Sequence, residues 1–154
     1  LFNLLESFLL NKIEELHSQN IRLKVIGVKN FSKKLNNLLK KSEKKTLKNS
    51  VLQINLALNY GSKSEIIEAL KKIKKNNNKI NEKNLSMYLQ TKNIPDPEIL
   101  IRTGNTNRLS NFLLWQLAYS EIFFDKKLWP DFNENDYVKI IKKFKKIKRN
   151  FGKI

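Results

Sequence analysis

Three apolar runs in this chain each stop at or just before a glycine, at Gly27, Gly61 and Gly104, and helix-patterned segments separate them. Ile21 to Gly27 reads as a strand, Val51 to Leu58 alternates and then turns fully apolar, and Ile99 to Arg102 is a short apolar run closed by Thr103-Gly104. Strand, helix, strand, helix, strand in that order calls for right-handed crossovers. The expected fold class is therefore α/β, a parallel sheet with helices on its faces and the strands' carboxyl ends along one binding edge.

The intervening segments carry the helical period. Leu4, Leu5, Phe8, Leu9, Ile13 and Leu16 predict a helix over residues 1 to about 18, and Leu35, Leu38 and Leu39 face inward from a Lys-rich helix over about 32 to 48. Ser62-Lys63-Ser64-Glu65 reads as a capping box for a helix that buries Ile66, Ile67, Leu70 and Ile73. Lys74 to Lys83 is a polar linker, and a short helix covers about 82 to 90. Phe112 to Tyr119 is apolar on nearly every side, which predicts a buried helix with Ser110 as its N-cap. Trp129-Pro130-Asp131-Phe132 makes a rigid turn, and residues 133 to 150 form a last amphipathic helix with Tyr137, Ile140, Ile141, Phe144 and Ile147 inward. At 154 residues the whole is expected to be a single domain, 1–154.

Chemistry concentrates between residues 94 and 124. Arg102 stands where a strand gives way to a tight turn, and Arg108 and Ser110 follow at the start of the next apolar run. Two guanidinium forks, a hydroxyl and free backbone N–H groups at a strand's carboxyl end suit a phosphate or diphosphate. The alternative is that both arginines pair with surface carboxylates. Glu121 sits alone among Tyr119, Ile122, Phe123 and Phe124, so it needs a partner, either an arginine or a metal ion.

Charge alone points elsewhere. With 31 Lys+Arg against 14 Asp+Glu the net charge is +17, the usual footprint of a nucleic-acid or anionic-membrane binder. Only Arg22, Arg102, Arg108 and Arg149 are arginines, and 21 asparagines accompany the lysines through every segment. Most of the charge is thus solvated surface, with loose, salt-sensitive attraction to anionic lipid or nucleic acid. Cysteine is absent, which excludes thiol chemistry, and His17 is the single histidine, which excludes Ser–His catalysis. No run reaches the roughly 20 apolar residues of a membrane span.

Ile101-Arg102-Thr103-Gly104, the run Arg108-Leu109-Ser110-Asn111-Phe112-Leu113-Leu114-Trp115-Gln116-Leu117-Ala118-Tyr119-Ser120-Glu121, and Leu128-Trp129-Pro130-Asp131-Phe132 together resemble the carboxyl-terminal signature of bacterial undecaprenyl diphosphate synthases, the cis-prenyltransferases. Leu16 to Gly27, Leu56 to Gly61 and Arg149 to Gly152 resemble the matching family segments, so the resemblance covers nearly the whole chain. The family's Met-Asp-Gly-Asn-Gly-Arg-Trp motif, which carries its catalytic Asp, does not occur. The chain also opens on Leu1 without a leading cap. The expectation is a cis-prenyltransferase fold without its amino-terminal strands, with no catalytic residue of its own and no prenyl transfer by this chain alone.

What the resemblance implies for the remaining residues is specific. Arg102, Arg108 and Ser110, with the backbone at Leu109, would hold the diphosphate of isopentenyl diphosphate, and Glu121 would help bind Mg2+. The implied activity is condensation of isopentenyl diphosphate onto an allylic prenyl diphosphate to make a long polyprenyl carrier lipid, by a homodimer in the cytoplasm beside the inner face of the membrane. Departures occur at Gly61-Ser62-Lys63, where the family has Gly-Gly-Arg, at Asn105 in place of a second Gly, and at Asn150 in place of a second Arg. A non-catalytic partner subunit and a basic nucleic-acid binder are the alternatives. The intact Arg102, Arg108 and Ser110 set opposes the first, and the scarcity of arginine and of stacking aromatics opposes the second.

Overall fold

The computed structural model describes residues 2–150. It forms two compact units: one takes the chain up to Gly61 together with Glu65–Lys92, the other Ser62–Ser64 and the chain from Asn93 onward.

In the first unit, helix α1 (Phe2–Ser18), strand β1 (Ile21–Ile26), helix α2 (Lys33–Lys45) and strand β2 (Leu52–Ala57) follow the order read from the sequence. β1 and β2 pair in parallel, Ile21 opposite Leu52 through Ile26 opposite Ala57. Leu23 and Val25 point to one face, where they join Leu9 of α1 and Leu35 and Leu39 of α2 in the core. Ser32 caps α2 by accepting the Leu35 N–H. Helices α3 (Ser62–Lys75) and α4 (Glu82–Tyr88) bury Ala69, Ile73 and Leu85.

β1 is a closed edge. Its even-numbered carbonyls face β2, so its odd-numbered backbone groups point away, and side chains meet four of them. The N–H groups of Leu23, Val25 and Gly27 donate to Thr46 Oγ1, Glu43 Oε1 and Gln90 Oε1 at 3.0, 2.8 and 2.6 Å. The Ile21 carbonyl accepts from Asn49 Nδ2. Gly27 itself lies at φ +107°, and a Cβ there would come within 2.0 Å of the Leu58 carbonyl oxygen. No other residue fits where β1 turns.

Three expectations change. β2 is not buried throughout: Leu52 and Ile54 are 54% and 38% exposed, because β1 is the only strand that β2 pairs with among the described residues. The capping box at α3 does not form, and Gly61 stands at the N-cap without a side-chain bond. Glu65 is committed elsewhere, its carboxylate accepting the Tyr60 hydroxyl at 2.5 Å and the Gln90 N–H at 2.8 Å. Ile67 is exposed, since Ile66, Ala69, Leu70 and Ile73 follow the i, i+3, i+4, i+7 stripe and Ile67 falls outside it.

The second unit holds β3 (Ile99–Arg102) and β4 (Glu121–Phe124), again parallel, with Ile99 opposite Glu121 and Arg102 opposite Phe124. A 3-10 turn at Trp129–Asp131 leads to α5 (Glu134–Phe144), which Asn133 and Asp136 open with a reciprocal capping box. α5 stops at Phe144, short of the expected 150, and Tyr137 and Ile147 are exposed rather than inward. Arg149 is tied down by Glu98 at 2.6 Å and by the Tyr119 carbonyl, and its guanidinium lies over the Phe144 ring. The Phe151-Gly152 part of the expected family tail lies outside the described residues.

The buried helix expected over 112 to 119 is absent. Ser110, Asn111 and Leu113 lie at φ +49°, +61° and +44°, left-handed values that break a right-handed helix, and the segment runs as a series of turns. At its start the chain is tied to the first turn of α3: the Ser62 N–H donates to the Asn111 carbonyl, the Lys63 N–H to Asn111 Oδ1, and the Leu114 N–H to Ser62 Oγ. Asn and Ser side chains offer the backbone these partners in place of a helical ladder.

Candidate functional site

Arg102 ends β3. After Thr103, Gly104 at φ +92° and Asn105 at φ +54° reverse the chain, and the turn is pinned by Gly104 N–H to the Lys127 carbonyl and Asn105 N–H to the Asp125 carbonyl. Asn takes the left-handed angle that would otherwise favour a second glycine.

The reversed chain wraps the Arg102 guanidinium. Nε donates to Thr106 Oγ1 at 2.9 Å, and Nη1 donates to Ser110 Oγ at 3.0 Å and to the Arg108 carbonyl. Three acceptors on a loop of nine residues hold one planar fork, while the N–H groups of Nη2 have no partner among the described residues. The Arg108 side chain is exposed and its guanidinium is likewise uncommitted among the described residues.

Beside this fork lies a concavity of about 320 Å3 lined by Leu100, Ile101, Arg102, Thr103, Leu109, Ser110 and Phe112. No carboxylate lines it, so the positive charge of Arg102 is not neutralised from the wall. An oriented guanidinium edge and a hydroxyl beside an apolar floor, with the exposed Arg108 two residues before Ser110, suit a diphosphate held bidentately.

The structure thus brings Arg102, Leu109 and Ser110 together, with the Arg108 backbone, and does not bring Glu121 to them. Glu121 starts β4 at the opposite end of the strand pair, roughly 10 Å along the strand direction at the usual rise per residue. The two-residue alternation also sends its side chain to the face opposite that of Arg102. It is half-buried, and no described residue pairs with its carboxylate. Arg102 and Arg149 are engaged by other groups, and the ion pair weighed for Glu121 is not formed among the described residues. Among those residues no group of three His, Cys, Asp or Glu side chains converges on a metal position. Glu121 alone offers one carboxylate, the type of oxygen donor that Mg2+ takes beside phosphate oxygens and waters.

Thr106, Asn111 and Ser62 belong to the same construction and were not singled out from sequence. Thr106 had a signal, a hydroxyl four residues after Arg102 across a tight turn. The Ser62–Asn111 link spans 48 residues or more and leaves no local trace.

A prenyltransferase family model described as "Putative undecaprenyl diphosphate synthase" matches residues 1–152. A ditrans,polycis-undecaprenyl-diphosphate synthase ((2E,6E)-farnesyl-diphosphate specific) of Wigglesworthia glossinidia brevipalpis is 44% identical over 162 residues, covering 100% of this chain and 62% of that protein. An isoprenyl transferase of Aquifex aeolicus is 39% identical over 158 residues, covering 100% of this chain and 68% of that one. The crystal structure of a probable undecaprenyl diphosphate synthase from Campylobacter jejuni superposes with a TM-score of 0.91 at 37% identity, over 99% of this chain and 73% of that one. The chain spans about two thirds of the length of these relatives.

Proposed function

The chain belongs to the undecaprenyl diphosphate synthase family of prenyltransferases, and from that premise we propose that it forms one prenyltransferase domain that receives isopentenyl diphosphate at the Arg102 pocket. The observation that carries this reading is the Arg102 guanidinium, fixed by Thr106 and Ser110 with its Nη2 edge left for a ligand. Arg108 closes on the same diphosphate from solvent, and the backbone at Leu109 and the Ser110 hydroxyl complete the cradle.

The reaction is condensation of isopentenyl diphosphate onto an allylic prenyl diphosphate, building a polyprenyl diphosphate carrier lipid. An allylic diphosphate leaves as a highly charged group, so fixed donors and a metal ion lower the barrier by meeting charge as it develops. Mg2+ would supply that neutralisation when bound, with Glu121 as one carboxylate ligand. The arginine pocket orients the second substrate. A homodimer working beside the inner face of the membrane suits a lipid product, and no described helix is long and apolar enough to cross a membrane.

The test uses the 154 residues as they stand. With labelled isopentenyl diphosphate, an allylic diphosphate and Mg2+, they should bind the former saturably and yield no labelled long-chain lipid, since no Asp-Gly-Asn-Gly-Arg-Trp segment is present. Labelled lipid would overturn that division of labour. Absence of isopentenyl diphosphate binding would overturn the pocket.

A further inference from the structure

We infer that the first unit carries a second anion site, a cleft for a small phosphate-bearing ligand built from Lys24, Lys72, Lys92, Asn78, Asn84 and Tyr88. The cleft measures about 760 Å3 and has three lysines and no carboxylate in its lining. That volume lies within the ordinary range of small-ligand sites and exceeds what a bare phosphate needs, which favours a phosphate carried on a larger group.

Lys24 is not in the state of a solvated surface lysine, and the exposed Lys72 and Lys92 stand at the rim of the same cleft. Lys24 rises from β1, half-buried, and its Nζ donates to the Gln90 carbonyl at 2.9 Å. Burial, then the like charges of Arg22 and Lys92, hold its pKa below the ordinary lysine value. The nearby opposing carboxylate, Glu43, is already committed on both oxygens, to the Val25 N–H at 2.8 Å and to Lys29 Nζ at 2.6 Å. Elsewhere lysines of this unit pair with glutamates, as Lys71 does with Glu68 and Lys12 with Glu15. A phosphate in the cleft would relieve the repulsion among Lys24, Lys92 and Arg22 that no carboxylate of the lining relieves.

The polar wall is also set as a donor. The Tyr88 hydroxyl oxygen accepts from Asn76 Nδ2 at 2.8 Å and from Asn78 Nδ2 at 2.6 Å, which leaves its own proton for a further acceptor. Ammonium groups acting as point charges and a hydroxyl donor are a phosphate's complement, with no fork geometry demanded of the ligand. A diffuse +17 surface would attract anions everywhere and lose them with salt, whereas a cleft with a half-buried ammonium in its wall holds its ligand at one place.

Lysine acetylation footprinting of the full chain, read by mass spectrometry, tests this with inorganic diphosphate as the soluble probe and phosphatidylglycerol vesicles as the headgroup probe. Lys24, Lys72 and Lys92 should be acetylated about tenfold more slowly when a probe stands at about ten times its Kd, as one-site mass action requires. The arm that protects them names the source of the phosphate, and Lys33 and Lys126 should react unchanged. Replacing the exposed pair, Lys72→Gln with Lys92→Gln, should abolish protection of Lys24, while Arg102→Ala should leave it intact. Protection spread evenly over the lysines, protection in neither arm, or Lys24 protection that survives the double variant would overturn the site.

Discussion

Arg102 Nη1 donates to Ser110 Oγ across 3.0 Å, joining the end of β3 to a residue eight positions later whose backbone is held at φ +49°. A fork fixed in this way meets a diphosphate without losing side-chain freedom at the moment of binding. Arg102→Ala should weaken isopentenyl diphosphate binding by about 1.5–3 kcal/mol, roughly 10- to 100-fold in Kd, on the scale of hydrogen bonds to charged groups. Arg102→Lys should recover little of it, because an ammonium cannot serve Thr106, Ser110 and a ligand in one plane. Titration calorimetry decides: Kd within twofold of the parent chain for both variants would return these cations to a diffuse field.

Glu121 gives a separate readout, since it lies on the opposite sheet face from Arg102. Glu121→Gln keeps the size and removes the charge, so isopentenyl diphosphate binding without metal should be unchanged while the Mg2+ concentration that enhances binding should rise several-fold. An unaltered Mg2+ dependence would withdraw the metal role from this residue.

Gly27→Ala should destabilise the chain severely. The position combines φ +107° with a methyl placed 2.0 Å from the Leu58 carbonyl oxygen, so neither backbone nor neighbour can adapt cheaply. We expect a loss of about 3 kcal/mol or more, at or beyond the top of the ordinary range for single substitutions. Gly104→Ala serves as the comparison, because its φ is +92° but nothing lies within 4 Å of the added carbon. Urea denaturation should rank Gly27→Ala well below Gly104→Ala, and equal midpoints would refute the steric account.

The Lys127–Asp136 pair, 2.7 Å apart beside the α5 cap, predicts a pH signature. The Lys127 hydrogen bond, then the Asn133 N–H, lowers the Asp136 pKa, and the Asp136 hydrogen bond raises that of Lys127. A depressed carboxylate stabilises the fold above its unfolded pKa of about 4 and loses that contribution as pH falls through the lower folded value. A raised lysine contributes below about 10.5 and loses it as pH climbs through the higher folded value. Asp136→Asn should therefore lower Tm between these limits and converge with the parent chain at acid pH. A constant Tm difference from pH 2 to 8 would assign Asp136 to the cap alone.

Much of this was legible in the residues themselves. β1, β2 and β3, and the helices on either side of the linker at 76 to 81, follow from apolar runs and the helical period, because burial on one face is a local pattern. Gly27 and Gly104 mark turns, since a positive φ is a property of one residue. The Arg102, Arg108 and Ser110 spacing was also readable, and the structure closes the first and last into a hydrogen bond.

What periodicity does not encode is which hydrogen-bonding group a distant side chain will reach. Residues 112 to 119 have a helix's composition, yet the Leu114 N–H goes to Ser62 Oγ, and Asn111 just before them takes the Ser62 and Lys63 N–H groups across about 50 positions. Glu65 has the place of a capping residue, but Tyr60 and Gln90 take its carboxylate, and Thr46, Glu43 and Gln90 close an edge strand that the pattern marked only as apolar. Glu121 and Arg102 read as neighbours in one motif, and parallel register sets them at opposite ends and on opposite faces. Sequence by itself determined most of the strands and helices and the residue types that suit an anion, because those depend on local sterics and side-chain chemistry. Only the tertiary structure decided which of those residues converge, because strand register and long-range hydrogen bonds are settled by the packing of the whole unit.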